Sequence, residues 1–295
     1  MENPVIHHLY ESVTGTWQYI VADAETSCAV VIDPVLDFDP AKNIISTVSA
    51  NKLLALINQM GYKVDMILET HAHADHPTAA SYLQAMLSKR GSRPNICIGG
   101  RIKQVQKLFG ERYGIPPGEY EDVFDKLWDD DEQFKIGNLN AQVFHLPGHT
   151  PDHIGYKIAD NIFVGDSIFH VDIGSARADF PGGSAQDIYQ SGRKILALPG
   201  QTKIWVGHDY PPDGRHGPVP CVSVDEQRQE NKHLKDNITE QDFIAMRKER
   251  DEKLAEPKLL HQSLQINIRG GKLPKATKDG DRFLHLPLGI SGGPW

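Results

Sequence analysis

Between Thr70 and His76 the chain reads Thr-His-Ala-His-Ala-Asp-His, three imidazoles and a carboxylate directly after the apolar run Met66-Ile67-Leu68. Histidine is the commonest metal-ligating side chain, and a neighbouring carboxylate can ligate or orient. On an extended segment His71, His73 and Asp75 share one side, and His76 swings off as the chain turns. A solvated histidine-rich loop does not account for such a cluster at the end of an apolar strand, so the chemistry is metal binding. Three later segments offer donors of the same kind. His149 sits in the turn Pro147-Gly-His-Thr-Pro151, Asp166 follows Val164-Gly165, and His208 follows Val206-Gly207.

Something must bring these four segments together, and the flanking sequence predicts what. Thr16–Ala22 and Cys28–Asp33 are β-rich runs around a polar turn, ended by Pro34, which cannot continue a central ladder. A helix is expected over 46–60, closed by Gly61, and a buried strand over 64–68 delivers the histidine cluster. Further helices are expected over 78–89, 101–109, 187–198, 225–235 and 240–254, the last capped by Thr239. Further strands are expected over 95–98, 142–146, 154–158, 161–165 and 203–207. Residues 110–133 and 211–222 read as loops, residues from Pro257 onward as irregular, and Ser291-Gly-Gly-Pro-Trp295 as disordered. Strands thus alternate with helices twice over, and His71, His149, Asp166 and His208 all fall at strand ends. That pattern is what a layered α/β architecture with its site at one rim of the sheets would require.

The 295 residues, 39% apolar and 24% charged, describe an ordinary globular protein with a sizeable core. A net charge of −8 argues against nucleic acid or an anionic membrane as the main partner. Cys28, Cys97 and Cys221 are odd in number and form no CxxC, so a disulfide framework is not expected. The start Met-Glu-Asn-Pro has neither the basic and apolar regions of a signal peptide nor the pattern of a transit peptide. A cytoplasmic location is the expectation.

Taken in order, Thr-His-x-His-x-Asp-His, Pro-Gly-His-Thr, Gly-Asp-Ser and Gly-His-Asp-Tyr resemble the metallo-β-lactamase superfamily over residues 10–215. The resemblance implies an α/β fold, an αββα four-layer sandwich with a metal site at one edge. It also implies a catalytic domain over 1–235, with a C-terminal extension over 236–295 packed on it. On the two-metal template of that superfamily, His71, His73 and His149 hold one ion and Asp75, His76 and His208 the other, with Asp166 bridging. The chain would then be a dinuclear zinc hydrolase of glutathione thioesters or lactones, glyoxalase II being the nearest case.

A second template is closer. Gly165-Asp-Ser-Ile-Phe-His170 followed by Arg177-Ala-Asp179-Phe180 is similar to the persulfide (sulfur) dioxygenases of the superfamily. That resemblance implies one Fe(2+) per chain, held by His71, His149 and Asp166, with His73, Asp75, His76 and His208 behind the ligands or left from a second-metal site. Two histidines and one carboxylate leave adjacent iron positions for O2 and an anionic sulfur donor. The implied reaction turns glutathione persulfide or a related small persulfide, with O2, into sulfite and thiol. A homodimer is the family's implied state.

Around this centre the roles are less determined. Tyr210 is expected to donate to an oxygen or sulfur ligand, or to pack under Pro211-Pro212. Arg177 and Asp179 are expected at the reacting site, as a local ion pair or as a clamp for a substrate carboxylate. Arg228, Lys232, His233 and Arg269 are the candidate substrate contacts. Dioxygenases of this kind tend to carry a cysteine where Ser175 stands and an arginine where His233 stands, so the carrier thiol is open. His145 and His153 are expected to be structural, Asp152 to orient a ligand histidine, and Cys221 to be inert.

Overall fold

The computed structural model describes residues 3–291. The chain opens as an antiparallel meander, β1 (Val5–Glu11), β2 (Thr16–Ala22) and β3 (Cys28–Ile32). A short ribbon, β4 (Asp37–Asp39) and β5 (Ile44–Ser46), leads to α1 (Val48–Met60). Gly61 ends α1 in the left-handed conformation at φ 68°, where a residue without Cβ meets no steric cost. Then come β6 (Lys63–Leu68), α2 (Ala80–Ser88), β7 (Asn95–Gly99), α3 (Ile102–Arg112) and β8 (Lys126–Trp128). β6 runs parallel to β3, and the first sheet has the order β1-β2-β3-β6-β7-β8.

The second sheet is built from β9 (Gln133–Ile136), β10 (Leu139–His145), β11 (Ile154–Ile158), β12 (Asn161–Phe163), β13 (Lys203–Trp205) and β14 (Cys221–Ser223). Its order is β14-β13-β12-β11-β10-β9. α4 (Ala185–Leu196) crosses over before β13, and α5 (Val224–Glu230), α6 (Glu240–Asp251) and α7 (Leu260–Asn267) follow. None of the described helices is long and apolar enough to cross a membrane.

The strand period of two explains the layering. On the wholly buried β2, Trp17, Tyr19 and Val21 enter the core between the sheets, where they meet Tyr156, Phe163 and Ile204. Ile20 and Ala22 face the other way, onto Leu53 and Ile57 of α1 and Leu83 of α2. Beyond the second sheet, Ile188 and Ile195 of α4 and Phe243 of α6 extend the inter-sheet core. The result is the expected helix–sheet–sheet–helix sandwich.

Several local expectations need correction. Residues 110–133 are not all loop: β8 pairs in parallel with β7, but three residues are too few to show a period. Residues 211–222 end in β14, which completes the second sheet. The helix expected over 225–235 stops at Glu230, because Asn231 turns out of it and its Oδ1 accepts the backbone N–H of His233 and Leu234. The segment after Pro257 is not irregular: α7 is a buried helix, with Leu264 and Ile266 at 0% exposure. It buries Ser263, Gln265 and Asn267 as well, so no apolar stripe marks it in the sequence. Of the tail expected to be disordered, residues 292–295 lie outside the described residues.

Candidate metal centre

β6 ends at Leu68, and the next eight residues form the loop that carries the histidine cluster. Asp33, at the exit of the neighbouring β3, anchors it by accepting from the Thr70 N–H and the Thr70 hydroxyl, both at 2.8 Å. Asp152 accepts the Ala72 N–H at 2.9 Å. From the second sheet come His149 after β10, Asp166 after β12 and His208 after β13. Glycine permits these close approaches. Gly148 lies at φ 132°, and a Cβ on Gly207 would meet Asp166 Oδ1 at 2.6 Å.

Two donor groups share Asp166. In the first, one donor atom from each of His71, His149 and Asp166 lies within 4.8 Å of the others; Asp75, Asp166 and His208 form the second. Asp166 Oδ2 is 3.9 Å from His71 Nε2 and 3.6 Å from His149 Nε2, while its Oδ1 is 3.4 Å from His208 Nε2. These gaps are long for hydrogen bonds and near the roughly 3–3.5 Å that adjacent ligands keep around an ion bonded at about 2.1 Å. Among the described residues, His71 Nε2, His73 Nδ1, His76 Nε2 and Asp166 Oδ1 are buried without a hydrogen-bond partner. Orphaned buried polar atoms are costly, and four in one place fit a cation. The residues therefore suit a bound metal.

The outer nitrogens of the histidines are tied down. Thr70 donates its hydroxyl to Asp33, so its oxygen accepts from His71 Nδ1 at 3.0 Å. His149 Nδ1 donates to the Arg177 carbonyl at 2.9 Å, and His208 Nδ1 stands 3.3 Å from the Thr16 hydroxyl. For His71 and His149 these contacts fix the tautomer in which Nε2 carries the lone pair, as ligation demands. Burial, reinforced by His73 and the other imidazoles, holds His71 well below the usual histidine range and hence neutral. At His208 burial opposes charge, but Asp166 and Asp75 prevail and raise it. The two groups differ in how far they are satisfied without an ion. In the second, Asp75 already takes His76 Nδ1 at 3.0 Å and lies 3.3 Å from His208 Nε2. In the first no donor pairs so closely with another.

His73 is turned toward a different pair: its Nε2 lies 3.1 Å from Asp33 and 3.3 Å from Glu69. His153 accepts the Asp166 N–H at 2.9 Å and stacks on His71. His145 lies beside Asp130 instead. Asp152 holds the backbone at Ala72 and, among the described residues, hydrogen-bonds no imidazole, unlike the expectation.

A cavity of about 670 Å³ opens over Asp75, His149, Asp166 and His208. Arg177, Arg247, Arg250 and Lys258 also line it, as do Phe169, Ile173 and Leu254. Arg247 is paired with Asp251 at 2.6 Å. Arg250 and Lys258 enter none of the ion pairs among the described residues. Sequence reasoning missed Arg247, Arg250 and Lys258, because alternating charge over 247–253 looks like any solvated helix face.

The expected contacts fall unevenly. The Arg177 guanidinium forms a bidentate pair with Asp179 and donates to the Ala255 carbonyl at 3.0 Å. It is the backbone of Arg177 that touches a donor histidine. Tyr210 lines the cavity, parallel to His208 with centroids 5.7 Å apart, and its hydroxyl donates to the Thr14 carbonyl at 3.0 Å. Arg228, Lys232, His233 and Arg269 do not line the cavity. Arg228 pairs with Asp236 at the surface, and the Lys232 side chain is exposed. His233 Nδ1 accepts from the Ser175 N–H, and Arg269 is buried against Glu119 at 2.8 Å.

Two face-to-face sheets with a histidine–aspartate cluster at one rim define a metal-binding αββα protein. The chain belongs to the metallo-beta-lactamase superfamily, whose profile matches residues 13–208. It is 44% identical to "Glyoxylase B2" of Dictyostelium discoideum over 283 residues, 94% of each chain. To the "Beta-lactamase hydrolase-like protein" of Xylella fastidiosa it is 40% identical over 297 residues, all of this chain and 67% of that one. To the mouse mitochondrial "Persulfide dioxygenase ETHE1" it is 27% identical over 270 residues, 90% of this chain and 89% of that one. Among solved structures, ETHE1 from Myxococcus xanthus superposes with a TM-score of 0.72 at 24% identity, over 91% of this chain and 100% of that one, a likeness of fold.

Proposed function

We propose that the chain is an iron(II)-dependent persulfide dioxygenase acting on glutathione persulfide or a related anionic low-molecular-weight persulfide. The observation that carries this reading is where the Arg177-Ala-Asp179-Phe180 element lies. Its first carbonyl accepts from His149 Nδ1, and the Phe180 ring centroid is 6.4 Å from that of His149. The element that separates the dioxygenase pattern from the hydrolase pattern thus braces a donor of the His71–His149–Asp166 group. The 27% identity to a persulfide dioxygenase over nearly the whole chain supports the same reading.

Iron(II) held by two imidazoles and a carboxylate would supply open coordination sites for O2 and a sulfur anion. The chain's own residues do the rest. His71, His149 and Asp166 would hold the ion, the two imidazoles fixed by the Thr70 hydroxyl and the Arg177 carbonyl. Arg250 and Lys258 offer charge to the carboxylates of the carrier thiol, and Phe169, Ile173 and Leu254 keep water from the sulfur. Overall one persulfide, one O2 and one water give one thiol and one sulfite. Protein purified anaerobically is expected to contain about one iron per chain and to consume O2 when given glutathione persulfide. Two zinc ions per chain, with thioester cleavage and no O2 uptake, would overturn the proposal.

That opposite result is the second reading, a dinuclear zinc hydrolase of glutathione thioesters. It is favoured by the retention of His73, Asp75, His76 and His208 beside Asp166, and by the 44% identity to a glyoxylase.

A further inference from the structure

The loop that carries the metal donors is held from far along the chain. Asn267, the last residue of α7, is 4% exposed. Its Nδ2 donates to the His73 carbonyl at 2.7 Å and the His76 carbonyl at 2.8 Å, across 194 and 191 positions of sequence. Its Oδ1 accepts the Thr78 N–H at 2.8 Å. Two carbonyls need donors and one N–H needs an acceptor, so a single orientation of the amide satisfies all three.

From Thr78 the connection runs inward. Its hydroxyl donates to Glu69 Oε1, and Glu69 Oε2 lies 3.3 Å from His73 Nε2. The other face of that imidazole offers Nδ1, buried and without a partner. Asn267, Thr78, Glu69 and His73 therefore form one buried polar chain from the C-terminal helix to the donor loop. The helix end that carries Asn267 is itself fixed. Leu264, Ile266 and Ile268 are fully buried, and Gln106 donates to the Ile268 carbonyl at 2.9 Å.

We propose that Asn267 is a positioning residue of the metal centre, so that metal affinity depends on a helix outside residues 13–208, the segment matched by the superfamily profile. The inference rests on reading the 71–76 loop as metal-binding but not on which metal it takes. Without the amide, three buried main-chain groups around Asp75 and His76 lose their partners. They recover them only by moving the loop, which takes the donors out of register. Outer contacts of this kind are worth roughly 10–100-fold in metal affinity.

The test is titration of the metal-free full chain with Co2+, followed by visible absorption, alongside thermal unfolding of the metal-free protein. Asn267→Asp keeps the acceptor for Thr78 but loses both donors, and is expected to weaken Co2+ binding by about 10–100-fold. Thr78→Val cuts the branch to Glu69 while leaving the backbone contact with Asn267, and is expected to weaken binding less, by roughly three- to tenfold. It provides the measurement should Asn267→Asp not fold. Gln265→Ala removes bonds from the same helix to the His261 and His285 carbonyls, away from the loop, and is expected to leave Co2+ affinity unchanged. Wild-type affinity in Asn267→Asp or, where that variant does not fold, in Thr78→Val would overturn the inference, as would equal weakening by Gln265→Ala. No Co2+ uptake by the unmodified chain would instead overturn the metal centre itself.

Discussion

The two walls of the central cavity are built on different principles. One is made of strand ends: His149, Asp166 and His208 leave the second sheet and Asp75 the first, and most are buried and braced from behind. The other carries the cations of α6 and of the segment joining it to α7, with Arg250 and Lys258 exposed and outside any ion pair among the described residues. The first wall is rigid, desolvated and short of partners, which suits an ion that must sit in one place. The second is wet and adjustable, which suits a flexible anionic ligand. Damage to the first should be all-or-none and damage to the second graded.

The largest effect is expected from Asp166→Ala or His71→Ala. Each removes one of the three donors proposed for the ion, and metal analysis after anaerobic purification should find the ion lost; retention of half would break the one-metal proposal. On the second wall, Arg250→Glu with Lys258→Glu should raise KM for an anionic persulfide by roughly tenfold, with kcat little changed. The difference should shrink as salt is added. A fall in kcat at constant KM would put these cations in the chemistry rather than in binding.

His233 connects the second wall to stability. Burial, aided by Arg247, Arg250 and Lys232, lowers its pKa to about 4. The unfolded chain takes up this proton near the ordinary value of about 6.5. The contribution of neutral His233 is therefore complete above that pH and is lost as pH falls from 6.5 toward 4. Urea unfolding at pH 7 and pH 4.5 should show a smaller pH-dependent loss in His233→Asn than in the unmodified chain; equal losses would refute the assignment. Within the first wall, His208→Ala should keep its metal within about twofold, since Asp75 already partners that imidazole. Arg228→Ala should change neither KM nor metal content, its charge being matched by Asp236 at the surface.

Much of the first wall was legible in the sequence, and for a physical reason. Metal donors must be particular residue types at strand ends, and a strand followed by Gly-Asp, Gly-His or Thr-His-x-His carries its mark locally. The layers were legible too, because apolar runs of strand length and helical spacing report burial directly. The short strands β8 and β14 were not, since three residues carry no period. Helix α7 escaped notice because it buries polar residues, of which Gln265 and Asn267 have tertiary partners.

By itself, then, the sequence determined the candidate donors at strand ends, the alternation of strands and helices and a layered α/β architecture, each read from residues close together in the chain, while the αββα order came from the resemblance. Only the tertiary structure decided that the Arg177 backbone, not its guanidinium, meets His149, and that Arg250 and Lys258 face the cavity while Arg228, Lys232 and Arg269 do not. It alone set Asn267 against the carbonyls of His73 and His76. Those assignments turn on which group fills a hydrogen bond or charge left open by a distant segment, and packing settles that choice.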